Sequence, residues 1–379
     1  MVPRTVQHDN VREHNRHAVL RALQERRSAS RADLARATGL SVPTVAAIEQ
    51  EFAASGLLQE GAPTRARTGR PARTVALRAE ARNVLAVDLG AGLVRSARGD
   101  LAGGCHRLDD GPVLGPGTEE ALLAWLAAEL EGLREAGTPI SIVAVAVPGV
   151  VDRSSGRVRL APALGWDDVP LADTLTERTG LEVVLENDVN AVALGELLHG
   201  AGAGHRHVVY LGISGNGDGG IGAGIVVDGA LYRGAHDAAG EVGYSLLPGL
   251  PETGLDLGAS GPLERHLGQV ATRCVRQGRL DLGDEASRHA FERLADGVRL
   301  ILHNLACALD PDLMVVAWSA DPAGLLAGAV AERWSCPLPV AVRAGTLGPE
   351  AALRGLAHLA RERLNARICG PEGDEGRTA

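Results

Sequence analysis

The chain has 379 residues, of which 45% are hydrophobic and 22% are charged, and its formal net charge is −9. This composition is ordinary for a soluble globular protein of two or three domains. No apolar run approaches the roughly 18 residues that a membrane helix needs, and the polar start lacks the apolar stretch of a signal peptide, so we expect a cytoplasmic protein without a membrane partner.

Charge is distributed unevenly along the chain. Residues 1–78, here called the head, carry 13 Arg and seven acidic residues, so the remainder, here called the body, carries 25 Arg and 40 acidic residues. A basic head (+6) on an acidic body (−15) indicates a nucleic-acid-binding segment joined to something else. A basic tail that only improves solubility is the alternative. All 38 basic residues are Arg, which excludes any mechanism that requires a lysine.

Three helical patterns fill the first part of the head. The first spans residues 11–24, and Ser30 and Ser41 are good N-caps for the second and third. Gly39 is expected to end the second helix. The predicted core side of the third helix consists of Val42, Val45, Ile48 and Phe52. Two helices joined by a short turn containing glycine form the helix-turn-helix pattern, which predicts double-stranded operator DNA as a partner.

A wing is predicted after the third helix, because residues 57–58 and Thr74–Leu77 have the pattern of two paired strands. Its tip carries arginines suited to phosphate contact or to a narrow minor groove, namely Arg65, Arg67, Arg70 and Arg73. The third helix has Glu49 and Glu51 but no basic residue, which leaves base readout to Ser41, Thr44 and Gln50. We therefore expect modest base contact and strong salt dependence. A three-helix bundle without a DNA role is the alternative.

The body alternates apolar strands with helices. Residues 83–103 predict a strand, a D-x-G turn and a second strand, and residues 140–152 predict a buried strand. Residues 180–202 predict a strand followed by a helix, and residues 207–234 predict a glycine-rich hairpin. Residues 305–318 predict a helix that leads into a buried strand. Such units are typical of an α/β protein of two lobes with a cleft.

Several motifs follow one another along the body. They are D-x-G at 88–90, P-G at 148–149, APALGW at 161–166, LENDVNAVALGE at 185–196, GGIGAGIVVDGALYRGAHDAAGEVG at 219–243 and DPDLMVV at 310–316. In this order they resemble the ROK family (repressor, open reading frame, kinase) over nearly the whole chain. The head, including Gly69-Arg70-Pro71, is similar to that of the family's transcriptional regulators.

The resemblance implies the fold class α/β, with an N-terminal winged helix-turn-helix followed by a two-lobed actin-like ATPase (ROK) fold. We expect the winged helix at residues 1–80, the first lobe at 81–195 and the second lobe at 196–348. A C-terminal helix at 349–367 is expected to complete the first lobe.

The family's sugar site maps onto Asn187, Asp188, Glu241, Tyr244 and Glu264. Carboxylates and an amide suit the vicinal hydroxyls of a sugar. In the kinases of the family, the residue that matches Asp188 is the base that deprotonates the sugar. The alternative is that Asn187 and Asp188 only cap the helix that follows.

Departures from the family's kinase pattern predict no catalytic residue and no enzyme activity. After the D-x-G turn, Ala91-Gly92-Leu93 offer neither hydroxyl nor amide to ATP, and Asp218 places a negative charge in the second phosphate loop. Tyr244 replaces a zinc-binding histidine, and the following stretch lacks the family's cysteine cluster, so we expect no zinc, no other metal and no cofactor. Ala163 replaces a sugar-contacting asparagine.

The sequence therefore predicts a DNA-binding regulator, a repressor in carbohydrate metabolism, whose degenerate cleft senses a sugar, a phosphosugar or another small molecule. A homodimer or homotetramer is expected from the resemblance and from the symmetry of operators. Two alternatives stay open. One is a ROK-type sugar kinase that carries a DNA-binding head, and the other is a regulator without a ligand.

Overall fold

The computed structural model describes residues 4–62, 73–213, 220–246 and 261–370. The head consists of three helices and a small sheet with the strand order β1-β3-β2. Its helices are α1 (Arg4–Arg26), α2 (Arg31–Thr38) and α3 (Val42–Ala54), and its strands are β1 (Ala29–Ser30), β2 (Leu58–Glu60) and β3 (Thr74–Leu77). The predicted winged helix-turn-helix is confirmed.

Local capping explains where the two helices of the helix-turn-helix begin and end. The hydroxyl of Ser30 accepts from the backbone N–H of Asp33, whose carboxylate accepts in return, so α2 starts with a capping box. Gly39 ends α2 in the left-handed region at φ 72°, which favours glycine. The hydroxyl of Ser41 accepts from the N–H of Thr44 at 3.2 Å and starts α3.

The prediction of the head core is wrong for one residue. Val45, Ile48 and Phe52 are buried as expected, but Val42 is 49% exposed. Val42 is the first residue of α3, so it precedes the turn whose side chains reach the core. In the wing, β2 and β3 pair antiparallel with Leu58 opposite Leu77. The predicted tip residues Arg65, Arg67 and Arg70 lie outside the described residues.

The first sheet of the body has the strand order β11-β7-β4-β5-β6. Its strands are β4 (Asn83–Asp88), β5 (Arg95–Asp100), β6 (Cys105–Arg107), β7 (Ile140–Val147) and β11 (Glu182–Asn187). Strands β4, β7 and β11 run parallel, and β5 and β6 extend the sheet antiparallel. A three-stranded sheet follows β7, formed by β8 (Val150–Asp152), β9 (Arg157–Ala161) and β10 (Trp166–Val169).

Alternate residues of the central strands β4 and β7 face two different helical layers. Leu85 and Val145 pack towards helices α4 (Glu119–Glu135) and α5 (Leu171–Thr179). The smaller Ala86 and Ala144 face the long helix α10 (Glu350–Cys369). Burial on both faces explains why these strands are continuous apolar runs in the sequence.

The second sheet has the strand order β14-β13-β12-β17-β18. Its strands are β12 (Val208–Ile213), β13 (Ile221–Val227), β14 (Ala230–Tyr232), β17 (Leu313–Trp318) and β18 (Ala341–Ala344). One face packs on α7 (Pro262–Thr272), α8 (Glu285–Leu309) and α9 (Leu325–Glu332), and a two-stranded hairpin, β15 (Val275–Arg276) with β16 (Arg279–Leu280), follows α7. The other face packs on α6 (Asp188–His199).

Helices α6 and α10 lie between the two sheets and are in unusually close contact. A Cβ at Gly195 would lie 2.0 Å from the carbonyl oxygen of Ala351, and a Cβ at Gly355 would lie 2.0 Å from that of Ala191. Only glycine permits this approach of the two backbones. Helix α6 runs through residue 195, where the sequence places the boundary between lobes; that division stays a prediction.

Helix α1 of the head docks on α10 of the body. The guanidinium of Arg16 donates to the carbonyl oxygens of Ile368 and Gly370 at the end of α10. It also lies 3.7 Å from the carboxylate of Glu51 and 5.9 Å from the ring centre of Phe52, both in α3. A positive charge at a helix C-terminus is favourable because the terminal carbonyls are partly negative.

Amides extend this junction. The side chains of Gln24 in α1 and Asn365 in α10 exchange hydrogen bonds of 3.2 and 3.3 Å, and Gln24 also donates to the carbonyl oxygen of Leu101. Asn365 is buried, and Gln24 of the head supplies a donor for its amide oxygen. Within the described residues no helix is both long and apolar enough to cross a membrane.

We expect Arg16→Ala to loosen the junction, because two carbonyls lose a charged donor and Glu51 loses a neighbouring positive charge. The loss of about 2–3 kcal/mol corresponds to a roughly 30- to 150-fold faster hydrogen exchange in the last turn of α10. Arg21→Ala is the matched control, because Arg21 forms an exposed pair with Glu362 of the same helix and should change exchange by less than about fivefold. Equal effects of the two variants would contradict the assignment.

Candidate functional site

The predicted ligand residues lie at the ends of elements from both sheets. Asn187 ends β11, and Asp188 begins α6. Glu241 and Tyr244 lie in the turn after β14, and Glu264 lies in the first turn of α7. The carboxyl groups of Asp188, Glu241 and Glu264 are close enough for their charges to affect one another.

Asn187 caps α6. Its amide oxygen accepts from the N–H of Asn190, and its amide nitrogen donates to the carbonyl oxygen of Gly149, both at 3.0 Å. The side chain thereby joins the predicted P-G turn to the start of α6, in agreement with the capping interpretation. Its contact with a ligand stays a prediction.

Asp188 is held in a surrounding that opposes its ionisation. Its Oδ1 accepts from the backbone N–H of Val189 at 2.8 Å. Burial, together with the nearby charges of Asp88 and Glu241, raises the pKa of this carboxyl to about 7. At neutral pH the group therefore exchanges readily between a hydrogen-bond donor and an acceptor.

The two glutamates share this character. Burial raises the pKa of Glu241, and the neighbouring charge of Glu264 adds to the effect. Burial also raises the pKa of Glu264, although one of its oxygens accepts from the backbone N–H of Gly261 at 3.1 Å. Carboxyl groups in surroundings that disfavour negative charge suit a neutral ligand with many hydroxyls, because each hydroxyl both donates and accepts.

Asp88 also belongs to this site, although the sequence interpretation assigned this residue only to a phosphate loop. Its Oδ1 accepts from the N–H of Gly90 at 2.9 Å, and Arg95 lies 3.7 Å away. A Cβ at Gly90 would lie 3.0 Å from Oδ1 of Asp88 and 3.7 Å from Oδ2 of Asp188, so the two carboxyls meet beside this glycine. Burial raises the pKa of Asp88 as well.

Glu186 was also missed, although it directly precedes Asn187. Its buried carboxylate accepts from Nε and Nη2 of Arg233 at 2.9 and 2.6 Å, and from the amide of Asn190 at 3.1 Å. The bond joins the end of the first sheet's β11 to the segment after β14. A charged residue at the end of an apolar strand was the signal in the sequence.

Glycines fix the turn that carries Glu241. A Cβ at Gly240 would lie 1.7 Å from the carbonyl oxygen of Ala223 in β13, and the residue has φ 94°. A Cβ at Gly261 would lie 2.1 Å from the carbonyl oxygen of Gly243. The G-E-x-G spacing therefore reflects close packing between β13 and α7. The remainder of the predicted motif, residues 247–254, lies outside the described residues.

In the head, both acidic residues of α3 are paired with arginines. Glu49 is 8% exposed and accepts from Nε and Nη2 of Arg31 at 2.6 and 3.2 Å. Glu51 accepts from Arg12 at 2.6 Å and lies near Arg16. Because arginines from α1 and α2 neutralise both acids, they add little repulsion towards phosphate.

The predicted base-reading residues differ in how they are engaged. Ser41 is exposed, but its hydroxyl caps α3 and lies 2.8 Å from the hydroxyl of the half-buried Thr44. Gln50 is exposed one turn beyond Ala47, and Arg73 is exposed at the start of β3. Base contact by Ser41, Thr44 and Gln50, and phosphate contact by Arg73, stay predictions.

We expect Asp188→Asn to stabilise the protein increasingly as the pH rises. The folded state retains a proton that the unfolded state releases, so the cost of ionising Asp188 starts near the unfolded pKa and is complete above about pH 7. Between pH 5.5 and 8.5 the gain in the free energy of unfolding should grow by about 2 kcal/mol, measured by denaturant titration. Asp167→Asn, on the exposed strand β10, should show no such trend. A gain independent of pH would refute the burial argument.

Comparisons with known proteins agree with this geometry. A sequence model of the ROK family matches residues 84–363, and a model of a winged helix-turn-helix DNA-binding domain matches residues 12–59. The xylose repressor of Caldicellulosiruptor bescii is 26% identical over 344 residues, which are 83% of this chain and 85% of that protein. A protein of another Caldicellulosiruptor strain is 30% identical over 241 residues, 62% of this chain and 59% of its own length.

Enzymes of the family are similar too. A glucokinase of Streptomyces coelicolor is 32% identical over 284 residues, 65% of this chain and 88% of that protein. Among solved structures, a ROK family glucokinase from Streptomyces griseus in complex with glucose and AMPPNP superposes with a TM-score of 0.61 at 26% identity, covering 74% of this chain and 99% of that one.

A ROK family transcriptional regulator, described as a homologue of the E. coli MLC protein, superposes with a TM-score of 0.74. It covers 95% of this chain and 98% of its own, and at 22% identity it shows the shared fold of head and body. Since the family model matches most of the body, this protein belongs to the ROK family and carries a winged helix-turn-helix in front of its ROK domain.

Proposed function

We propose that this protein is a transcriptional repressor that binds operator DNA through its head and senses a sugar in the cleft around Asp188, without catalysis. The observation that supports this proposal is a continuous stack of helices. Helix α6 begins with the candidate ligand residue Asp188, α10 packs on α6, and α1 of the head docks on α10.

The first contact in the stack joins the cleft to α10. Close packing at Gly195 and Gly355 leaves no space for α6 to move without displacing α10. Directly after Gly195, the buried carboxylate of Glu196 accepts from the backbone N–H groups of Thr346 and Leu347 at 2.7 and 2.8 Å. These residues lead into α10, so a displacement of α6 would be transmitted to both its side and its start.

The second contact joins α10 to the recognition helix. Arg16 holds the end of α10 and lies against Glu51 and Phe52 of α3. A ligand that prefers one arrangement of α6 and α10 would therefore also favour one placement of α3. By thermodynamic linkage, DNA that prefers the other placement of α3 would lower the affinity for the ligand by the same factor.

The chemistry of the cleft favours a neutral sugar. Asp88, Asp188, Glu241 and Glu264 all lie in surroundings that disfavour negative charge, and a phosphorylated sugar would add two more charges. The repressor relatives are named for xylose, so a free pentose is the first ligand to test. Each altered polar contact, at Ala163 and Tyr244, shifts specificity by about 0.5–1.5 kcal/mol.

A sugar kinase is the second candidate, favoured by one observation. A carboxyl with a pKa near 7 is matched to general-base work at neutral pH, and glucokinases are among the relatives. Against it, the turn after Asp88 offers no hydroxyl or amide to a nucleotide, and Asp218 adds a negative charge to the second loop. We therefore favour sensing over phosphoryl transfer, and we propose a homodimer or homotetramer that matches a symmetric operator.

We expect a free sugar to raise the thermal unfolding midpoint of the full chain. At a hundredfold excess over its dissociation constant, a ligand stabilises by about 2.7 kcal/mol. Xylose, glucose and their phosphates form the first panel. Glu241→Gln should abolish the shift, whereas Glu131→Gln, on the exposed face of α4, should retain it.

If no sugar of the panel raised the unfolding midpoint, sugar sensing would be overturned, whereas the proposal of DNA binding would be unaffected. ATP added to the stabilising sugar decides between the two candidate functions. Formation of a sugar phosphate that is lost in Asp188→Asn would establish the kinase instead.

For the head, we expect Arg70→Ala to weaken operator binding and to reduce its salt dependence. One lost phosphate contact lowers the slope of log K against log salt by about 0.9. Arg134→Ala, an exposed arginine of α4, is the control and should leave the slope unchanged. An unaltered slope in Arg70→Ala would show that the predicted wing does not contact DNA.

A further inference from the structure

We propose that α3 recognises a thymine methyl group through Val42, so that each operator half-site holds a thymine opposite the start of this helix. The inference rests on the proposed function, since it concerns the DNA that the head binds. It assigns sequence recognition to hydrocarbon side chains rather than to the hydroxyls of Ser41 and Thr44.

The exposed surface at the start of α3 is made of hydrocarbon. Val42 is 49% exposed, and Pro43 and Ala47 are exposed as well. Pro43, Ala47 and Gln50 are spaced by four and three residues, so they share the face of α3 that is opposite the buried Val45 and Phe52. An exposed valine alone is ordinary on a protein surface. Here it stands at the first position of the helix that a DNA-binding domain inserts into the major groove.

The polar groups nearby are already engaged. The hydroxyl of Ser41 accepts from the N–H of Thr44 and lies 2.8 Å from the hydroxyl of Thr44. Glu49 and Glu51 are paired with Arg31 and Arg12. Within the first nine residues of α3, Gln50 alone combines an exposed position with an amide, and it lies two turns beyond Val42.

Major-groove chemistry limits what such a surface can recognise. Of the four bases, only thymine presents a methyl group in the major groove, and apolar side chains contact it. An amide such as that of Gln50 can pair with adenine through two hydrogen bonds. The start of α3 therefore fits a thymine opposite Val42, and Gln50, two turns further along the helix, fits an adenine.

The test removes the methyl group from the DNA and the methyl groups from the protein separately. The full chain is first used to enrich binding sites from a random duplex library. In the enriched site, each dT is then replaced by dU, which pairs in the same way but lacks the 5-methyl group. We expect the replacement at one dT in a half-site to weaken binding about fourfold, the effect of burying one methyl-sized group, measured by fluorescence anisotropy.

Val42→Ala, which removes both γ-methyl groups, should reduce the difference in affinity between the dT and dU sites, and Val42→Thr, which keeps one γ-methyl, should show an intermediate difference. Val113→Ala removes another exposed valine, in the body, and should keep the fourfold difference. Folding of the Val42 variants is checked by their non-specific affinity at low salt, which should equal that of the wild type.

Two results would overturn the inference while the DNA-binding function stands. One is a wild type that is indifferent to dU at every position of the enriched site. The other is a dU effect that persists undiminished in Val42→Ala. Failure to enrich any sequence would instead overturn recognition of a specific operator, and this inference with it.

Discussion

The guanidinium of Arg16 is the interaction on which the arrangement of head and body depends. It joins the last carbonyls of α10 to α1 and lies against two residues of the recognition helix. A sensor that works through this junction must shift the position of α10, because the contacts of Arg16 tie the end of that helix to the head.

The cleft is built on the opposite electrostatic principle. Burial raises the pKa of its carboxyl groups, and for Asp188 and Glu241 a neighbouring negative charge adds to the effect, so ionisation is disfavoured. A neutral ligand that displaces water and supplies hydroxyls would find donors and acceptors without the cost of pairing fixed charges. The charged contacts of the junction and the buried carboxyl groups of the cleft thus lie at different positions along one stack of helices.

Local features of the fold were predictable from the sequence. Caps such as Ser30 and Ser41, the stop at Gly39 and the apolar strand at residues 140–147 act over a few residues, so their signals are contained in short stretches. Val42 was misassigned because periodicity does not show where a helix begins relative to the core. The described carboxyl pair of Asp88 and Asp188 joins residues 100 positions apart, which no local pattern reveals.

The partners of the acids in α3 illustrate the same limit. The sequence alone presents Glu49 and Glu51 as repulsive towards DNA, and their arginines lie 18 and 39 residues away. Similarly, Gly195 and Gly355 would be expected to destabilise their helices, because glycine has a low helix propensity. Their role becomes clear only from the contact between α6 and α10. The roles of these residues therefore depend on contacts with distant parts of the chain, which the sequence does not show.

The junction also has a consequence for synthesis. Arg16 and Ile368 are 352 residues apart, so the head emerges from the ribosome long before its partner helix. At roughly 5–20 residues per second, about 20–70 s pass between the two. The core residues of the head all lie before residue 78, so the head can fold during this interval while its orientation is still unconstrained. A nascent regulator would therefore acquire its DNA-binding surface first and its responsiveness to ligand only when α10 has been made.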